Sequence, residues 1–304
     1  MNMKSIIRTC FAIAAVSLIA ASCDVENKKI IYTPDGTDAA VTFLSSVASD
    51  TEIDAKATTF NITVARGKCD ADATVKISSK MPAEVVVPES ISFAAGESET
   101  TIAVDISKME VGKTYTGKIF FANAEDYNKK IATDTVSCTF AKAYTWVSLG
   151  EGEFYDAFAL QPSDDDLGII KVEVLKAEGF NRWRVMEPFP KDNVIAAWGE
   201  DYYGGSASSY IEFYTLDEEA GTIKFDTKIY TGLTYPGYGK IVYVYPSAYS
   251  SARASYDASN KFIGNYVQFC DAVAIEGTSS WFGIKAQYLA MPGAGDLATW
   301  LNEE

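Results

Sequence analysis

The sequence predicts an all-β protein: two antiparallel β-sandwich domains in tandem, closed by a short C-terminal helix. Three observations carry this expectation. Apolar residues recur at every second position along most of the chain, as in Phe60, Ile62 and Val64 or Ile170, Val172 and Val174. Clusters of Gly, Asp and Ser separate these runs. The aromatic content steps up near Ala143, after which come all five tryptophans and fifteen of the eighteen tyrosines, so two differently built domains are expected, 39–143 and 144–304.

The chain opens with Lys4 and Arg8, continues with an apolar run from Cys10 to Ala21, and passes through Ala20-Ala21-Ser22 into Cys23. A charged start, a short apolar middle and small residues before a cleavage point read as a secretory signal over 1–22. The run is shorter than the roughly 18–20 apolar residues a bilayer span needs. The small residues directly before Cys23 resemble a bacterial lipoprotein box, with Ala20 where that box more often carries Leu or Val. The resemblance implies that Cys23 is lipidated and becomes the first residue of the mature protein. Residues 23–38 are polar, carry the turn Pro34-Asp35-Gly36 and read as a lipidated tether, with Ile30-Ile31-Tyr32 a candidate strand.

From 39 to 143 the period is two. Val75 and Ile77, then Ile102, Val104 and Ile106, alternate with polar neighbours. Tyr115, Gly117, Ile119 and Phe121 share one face, as do Val136, Cys138 and Phe140. Roughly seven strands in about 105 residues is the size of an immunoglobulin-like unit. The Cys…Trp…Cys mark of true immunoglobulin domains is missing, since this segment has no Trp.

From 144 to 304 the strand pattern continues in an aromatic-rich domain expected to be a jelly-roll-like sandwich. Trp183 and Val185, Ile211 and Phe213, Ile223 and Phe225, and Phe282, Ile284, Ala286 and Tyr288 alternate with polar residues. Glu218-Glu219-Ala220-Gly221 marks a hairpin turn. Ile241 to Tyr245 is apolar throughout, as in a strand covered on both faces. Only the end reads as helix: Asp296 can cap, and Leu297, Trp300 and Leu301 fall on one face.

Composition excludes several function classes. The formal net charge is −15, and it divides as +2 over 1–22, −5 over 23–143 and −12 over 144–304. An acidic chain argues against nucleic acid, whose phosphates need Lys and Arg, and against lying directly on anionic lipid. With no histidine anywhere, histidine triads, histidine zinc sites and imidazole proton shuttles are ruled out. Cys69, Cys138 and Cys270 form an odd set without a CxxC. Cys138 alternates with core positions, Cys69 and Cys138 can pair only if their strands meet, and the alternative is buried or idle thiols.

The lipobox followed by small β domains resembles surface lipoproteins of Bacteroidota-type bacteria, and Asp24 and Glu26 suit the acidic export signal that follows the cysteine in such proteins. The first domain resembles Calx-beta-like sandwich modules through the stretch from Ile91 through Gly96 to Val104 and through Gly112-Lys113-Thr114-Tyr115. The stretches Trp146–Asp156 and Arg182–Phe189 are similar to segments of uncharacterised lipoproteins of the same bacteria. The resemblance implies an outer-membrane, lipid-anchored, cell-surface location and brings no catalytic residues. It brings no calcium site either, because Glu97, Glu99 and Asp105 do not form the acidic cluster that exchanger domains use.

The candidate ligand site is the loop Trp198-Gly199-Glu200-Asp201-Tyr202-Tyr203-Gly204-Gly205, joined by Tyr235 and Tyr238 flanking Pro236-Gly237. Trp198, Tyr202, Tyr203, Tyr235 and Tyr238 offer ring faces to the apolar faces of a pyranose, and Glu200 and Asp201 offer acceptors for its hydroxyls. The competing reading is that the rings fill a thin sandwich. Asp164-Asp165-Asp166 lacks the Gly and closing Glu of a calcium loop, so no metal site is assigned. Asp134-Thr135-Val136 resembles the short O-glycosylation site of these bacteria, and no carboxylate pair stands out for hydrolysis. The expected function is therefore a non-catalytic, surface-exposed lipoprotein without cofactors. It binds a ligand, with glycan the class considered, through the second domain. Its partners are the membrane, through the anchor, and polysaccharide or other envelope proteins. The alternative is a structural or adhesive subunit that assembles through sheet edges.

Overall fold

The computed structural model describes residues 40–127, 132–163 and 165–303. The signal, Cys23, the tether with Ile30-Ile31-Tyr32, and Asp164 lie outside the described residues. The described residues divide into two compact units, one ending at Ala143 and one beginning at Tyr144.

In the first unit, alternating apolar residues build two packed layers. One sheet has the order β1-β3-β6, from Val41–Phe43, Thr59–Arg66 and Glu99–Asp105. The other has the order β2-β8-β7-β4-β5, from Val47–Ile53, Thr135–Lys142, Thr114–Phe121, Ala73–Lys80 and Ser90–Phe93. The inward faces are those the alternation names: Ile62, Val64, Ile102, Val104, Tyr115, Ile119, Val136, Cys138 and Phe140 are buried in one core. Eight strands form among the described residues, close to the seven or so expected, and β2 runs parallel to β8 where an antiparallel pairing was expected.

The strand–Gly–strand stretch around Gly96 is a crossover between layers, since β5 pairs with β4 while β6 pairs with β3. Arg66 secures it. Its side chain is buried and donates to the carbonyls of Glu97 (2.7 Å), Ala71 (2.8 Å) and Ala94 (2.7 Å), with the guanidinium 5.0 Å from the Phe93 ring centre.

The second unit places ten strands in one sheet. They are β9 (Trp146–Asp156), β10 (Ile170–Ala177), β11 (Arg182–Met186), β12 (Tyr210–Asp217), β13 (Thr222–Lys224), β14 (Ile229–Tyr235), β15 (Gly239–Val244), β16 (Lys261–Ile263), β17 (Tyr266–Ile275) and β18 (Trp281–Ala290). All their pairings are antiparallel. Because β17 pairs with β18 and β18 with β9, the two faces of the sandwich are joined into a closed ring, β9-β10-β11-β12-β13-β16-β17-β18. The β14–β15 hairpin continues from β17. Sequential strands are mostly neighbours, so the order is a meander and not a jelly roll. An eight-stranded ring leaves an interior that side chains can fill. Phe154, Val174, Val185, Phe213, Tyr243, Phe269 and Leu289 fill it.

Local signals account for the turns. Asp217 accepts the N–H groups of Glu219 and Ala220 and Gly221 takes a positive φ, closing the β12–β13 hairpin. Asp296 accepts from the Thr299 N–H at 2.7 Å and caps the terminal helix Leu297–Glu303, as expected from its position.

Two expectations are corrected. A second helix, Lys191–Trp198, and a helical stretch from Pro246 to Ser259 interrupt the strand pattern. The first buries only Val194, so it carries little apolar periodicity to read. In β18 the face of Phe282, Ile284, Ala286 and Tyr288 stays half-exposed, while Gln287 and Leu289 are buried. The polar letter Gln287 reads as outward, yet it lies in register with Phe269 on one side and Asp156 on the other.

Candidate functional site

The loop after helix Lys191–Trp198 is shaped by its glycines. Gly199 takes φ +88 and closes the helix through its N–H to the Ile195 carbonyl. Gly204 lies so close to Thr234 that any β-carbon would collide with it, and its N–H reaches the Gly232 carbonyl at 2.9 Å. Gly199 thus serves a positive φ and Gly204 a close approach to Thr234. Gly237 (φ +80) likewise follows Pro236 in the β14–β15 turn, where the Tyr238 N–H donates to the Tyr235 carbonyl.

This backbone brings four of the five candidate rings together. Ring centres are separated by 5.6 Å for Trp198–Tyr202, 6.4 Å for Tyr202–Tyr235 and 5.2 Å for Tyr235–Tyr238. Two rings that sequence reasoning missed complete the cluster. Phe158 lies 5.0 Å from Trp198 and 5.4 Å from Phe282, and Phe282 lies 5.9 Å from Tyr235. Phe158, Trp198, Tyr202, Tyr235 and Phe282 thus form a closed circuit of rings. No sequence signal links Phe158 to Phe282, because only ring closure of the sheet makes them neighbours.

Exposure divides the cluster. Trp198 is half-buried against the core, and its indole N–H donates to the Phe158 carbonyl at 2.6 Å. Tyr202 also packs on the core. Tyr235 is 36% exposed and Tyr238 66%. The rings therefore divide: Trp198 and Tyr202 pack on the core, and Tyr235 and Tyr238 face outward. Tyr203 leaves the cluster. Its ring lies over Gly232, and Lys191 Nζ stands 5.7 Å from its centre. Glu200 and Asp201 are exposed on the short 3₁₀ turn that also carries Tyr202.

Beneath the cluster the interior is acidic. Asp156 is fully buried; its Oδ1 accepts the N–H groups of Phe158 (2.8 Å) and Ala159 (2.9 Å), and its Oδ2 accepts the Tyr243 hydroxyl (2.7 Å). Burial lifts its pKa to about 6, against the lowering effect of these donors. Asp271 is 1% exposed and its Oδ1 has no hydrogen-bond partner. Burial first, and the Asp156 charge second, raise its pKa well above the carboxylate range. Perturbed acids of this kind mark many active sites, but these two are sealed in the core.

Among the described residues no group of three or more His, Cys, Asp or Glu is placed to hold a metal. Asp166 instead accepts the Gly168 N–H. Cys69, Cys138 and Cys270 are free thiols, and burial pushes the latter two up to about 11. Thr135 opens β8 and is half-buried.

Fold and site together define an all-β chain of two units with an outward aromatic cluster on the second. No family model and no curated protein matches it. Solved structures similar to it include the calcium-binding domain CBD12 of CALX1.1, at 13% identity and a TM-score of 0.31, covering 48% of this chain and 77% of that one. A multidomain protein including DUF1735 from Bacteroides ovatus aligns at 10% identity and a TM-score of 0.33, over 83% and 92% of the two chains. A carbohydrate-binding candidate from Bacteroides ovatus ATCC 8483 aligns at 10% identity and a TM-score of 0.31, over 85% and 99%. Likeness at this level assigns no function.

Proposed function

We propose that the protein is a non-catalytic lipoprotein, anchored by lipid at Cys23 to the outer membrane and displayed at the cell surface, that binds a glycan through its second unit. The observation that carries the binding reading is the graded aromatic cluster: a packed base of Phe158, Trp198 and Phe282 holds Tyr235 and Tyr238 in place with their rings open to solvent. Rigid, half-exposed rings suit the apolar faces of sugars, and leaving them uncovered has a solvation cost that a ligand relieves. Glu200 and Asp201, on the Tyr202 turn, supply hydroxyl acceptors. The non-catalytic reading is supported by the burial of Asp156 and Asp271, the carboxyls with the most perturbed acidity, beyond reach of a substrate.

Calorimetry of the full chain against a panel of host and plant polysaccharides tests the binding. Tyr238→Ala removes an exposed ring and should lower affinity about fivefold, since stacking of this kind is worth on the order of 1 kcal/mol. Unchanged affinity would remove the site, and failure of every polysaccharide would remove the glycan. Incorporation of radiolabelled palmitate, abolished by Cys23→Ala, tests the anchor separately.

A further inference from the structure

The β12–β13 side of the ring is incomplete. β12 pairs with β11 along Tyr210–Tyr214, but with the three-residue β13 only from Tyr214 onward. Its first half therefore has no strand on the other side. The segment from Asp226 to Tyr230 runs past that gap, tied to the chain before β12 by the Ser208 N–H to the Tyr230 carbonyl (2.8 Å) and the Tyr230 N–H to Ser208 Oγ (2.9 Å). Between them lies a cleft of about 340 Å³, within the ~300–1,000 Å³ range of small-molecule sites.

We propose that this cleft is a second binding site, for a neutral, hydroxyl-rich ligand of the size of a sugar residue. The proposal takes its ligand class from the glycan reading above but stands on a different part of the surface.

The wall is pre-organised. Glu212 on β12 accepts from both Arg182 and Arg184, at 2.5 and 2.7 Å. Arg182 is stacked between Tyr144 and Tyr214 (5.0 and 4.5 Å to the ring centres), and Arg184 between Trp146 and Tyr210 (4.1 Å to each). Stacked guanidinium groups lose little further entropy when a ligand arrives.

Charge balance selects a neutral ligand. Each cleft charge already has a partner: Arg182 has Glu212, Lys228 has Glu276, and Asp226 has Lys224. A charged ligand would have to break one of these pairs, and an anion would also meet the −12 field of this half of the chain. The remaining lining is hydroxyl and ring. Ser209 and Thr227 are exposed at the cleft with no side-chain bond to another described residue, and Tyr210 is 37% exposed beside them.

Calorimetry of the full chain with cellotetraose, mannotetraose and xylotetraose, and with tetragalacturonate as the anionic comparison, tests this. Thr227→Trp and Ser209→Trp fill the cleft at exposed positions where the fold is spared, which an unchanged melting curve verifies. At least one neutral tetrasaccharide is expected to keep residual binding to Tyr238→Ala protein and to lose tenfold or more of that affinity when Thr227→Trp or Ser209→Trp is added to Tyr238→Ala. Residual binding unaffected by either added tryptophan, no residual binding in Tyr238→Ala, or tetragalacturonate binding more tightly than all three neutral sugars overturns the cleft. Wild type against Tyr238→Ala reads the aromatic site separately: a loss there supports it, and unchanged affinity there removes it and leaves the cleft standing.

Discussion

Asp156 and Tyr243, 87 residues apart in sequence, meet in the core of the second unit, where the tyrosine hydroxyl donates to the carboxylate at 2.7 Å. The same carboxylate fixes the turn that carries Phe158 into the aromatic cluster. One buried acid thus joins the hydrogen-bonding of the barrel interior to the base of the proposed ligand surface.

The acidity of Asp156 predicts a pH dependence. Its folded pKa of about 6 lies above the ordinary 3.8, so folding favours the protonated form. The contribution is fully present below pH 3.8 and is lost as pH rises through 6, by about 3 kcal/mol at 1.36 kcal/mol per unit. All five tryptophans lie in this unit, so denaturant unfolding followed by tryptophan fluorescence reports on it selectively. The stability of Asp156→Asn relative to wild type should climb between pH 4 and 6.5 and then level off; a flat difference would contradict the assignment.

Asp271 carries a buried oxygen without a partner, next to the Asp156 charge. Asp271→Asn keeps the shape and removes the ionisation. It should leave stability nearly unchanged at pH 4 and raise Tm at pH 8, by about 2–4 °C for each kcal/mol recovered. A lower Tm at pH 8 would show that the carboxylate has a favourable role.

In the first unit, Arg66 satisfies three carbonyls at the layer crossover. Arg66→Met retains much of the aliphatic stem and loses all three bonds from the buried guanidinium, while water can reach the carbonyls of the exposed Ala71, Ala94 and Glu97. The expected cost is about 1–3 kcal/mol by chemical denaturation.

Gly117 on β7 sits where a β-carbon would lie inside contact distance of the Lys80 carbonyl oxygen and Met81 Sδ. Gly117→Ala should destabilise the first unit by about 1–3 kcal/mol through overpacking, while leaving the tryptophan-reported transition of the second unit in place. Differential scanning calorimetry alongside fluorescence distinguishes the two.

Trp198 and Tyr238 are expected to differ in kind. Trp198→Ala loses core packing and the bond to the Phe158 carbonyl, so it should lower stability by about 2–4 kcal/mol. Tyr238→Ala should leave stability within about 0.5 kcal/mol and act on binding alone. Equal loss of stability in both would mean that Tyr238 also belongs to the packing.

Alternation along single strands was enough to name the inward residues of β3, β6, β7, β8, β10, β11 and β12, because burial of one sheet face imposes period two on the letters themselves. The loop glycines and tyrosines could be singled out for the same local reason. The closure of β18 onto β9 could not be read that way, since it depends on pairing between residues more than a hundred positions apart. Two placements depend on that long-range pairing and its register: Phe282 beside Phe158, and Gln287 turned inward. Local chemistry determined which segments are strands and which faces are apolar. Only the assembled sheet decided which rings stay open to solvent and which acids are shut away from it.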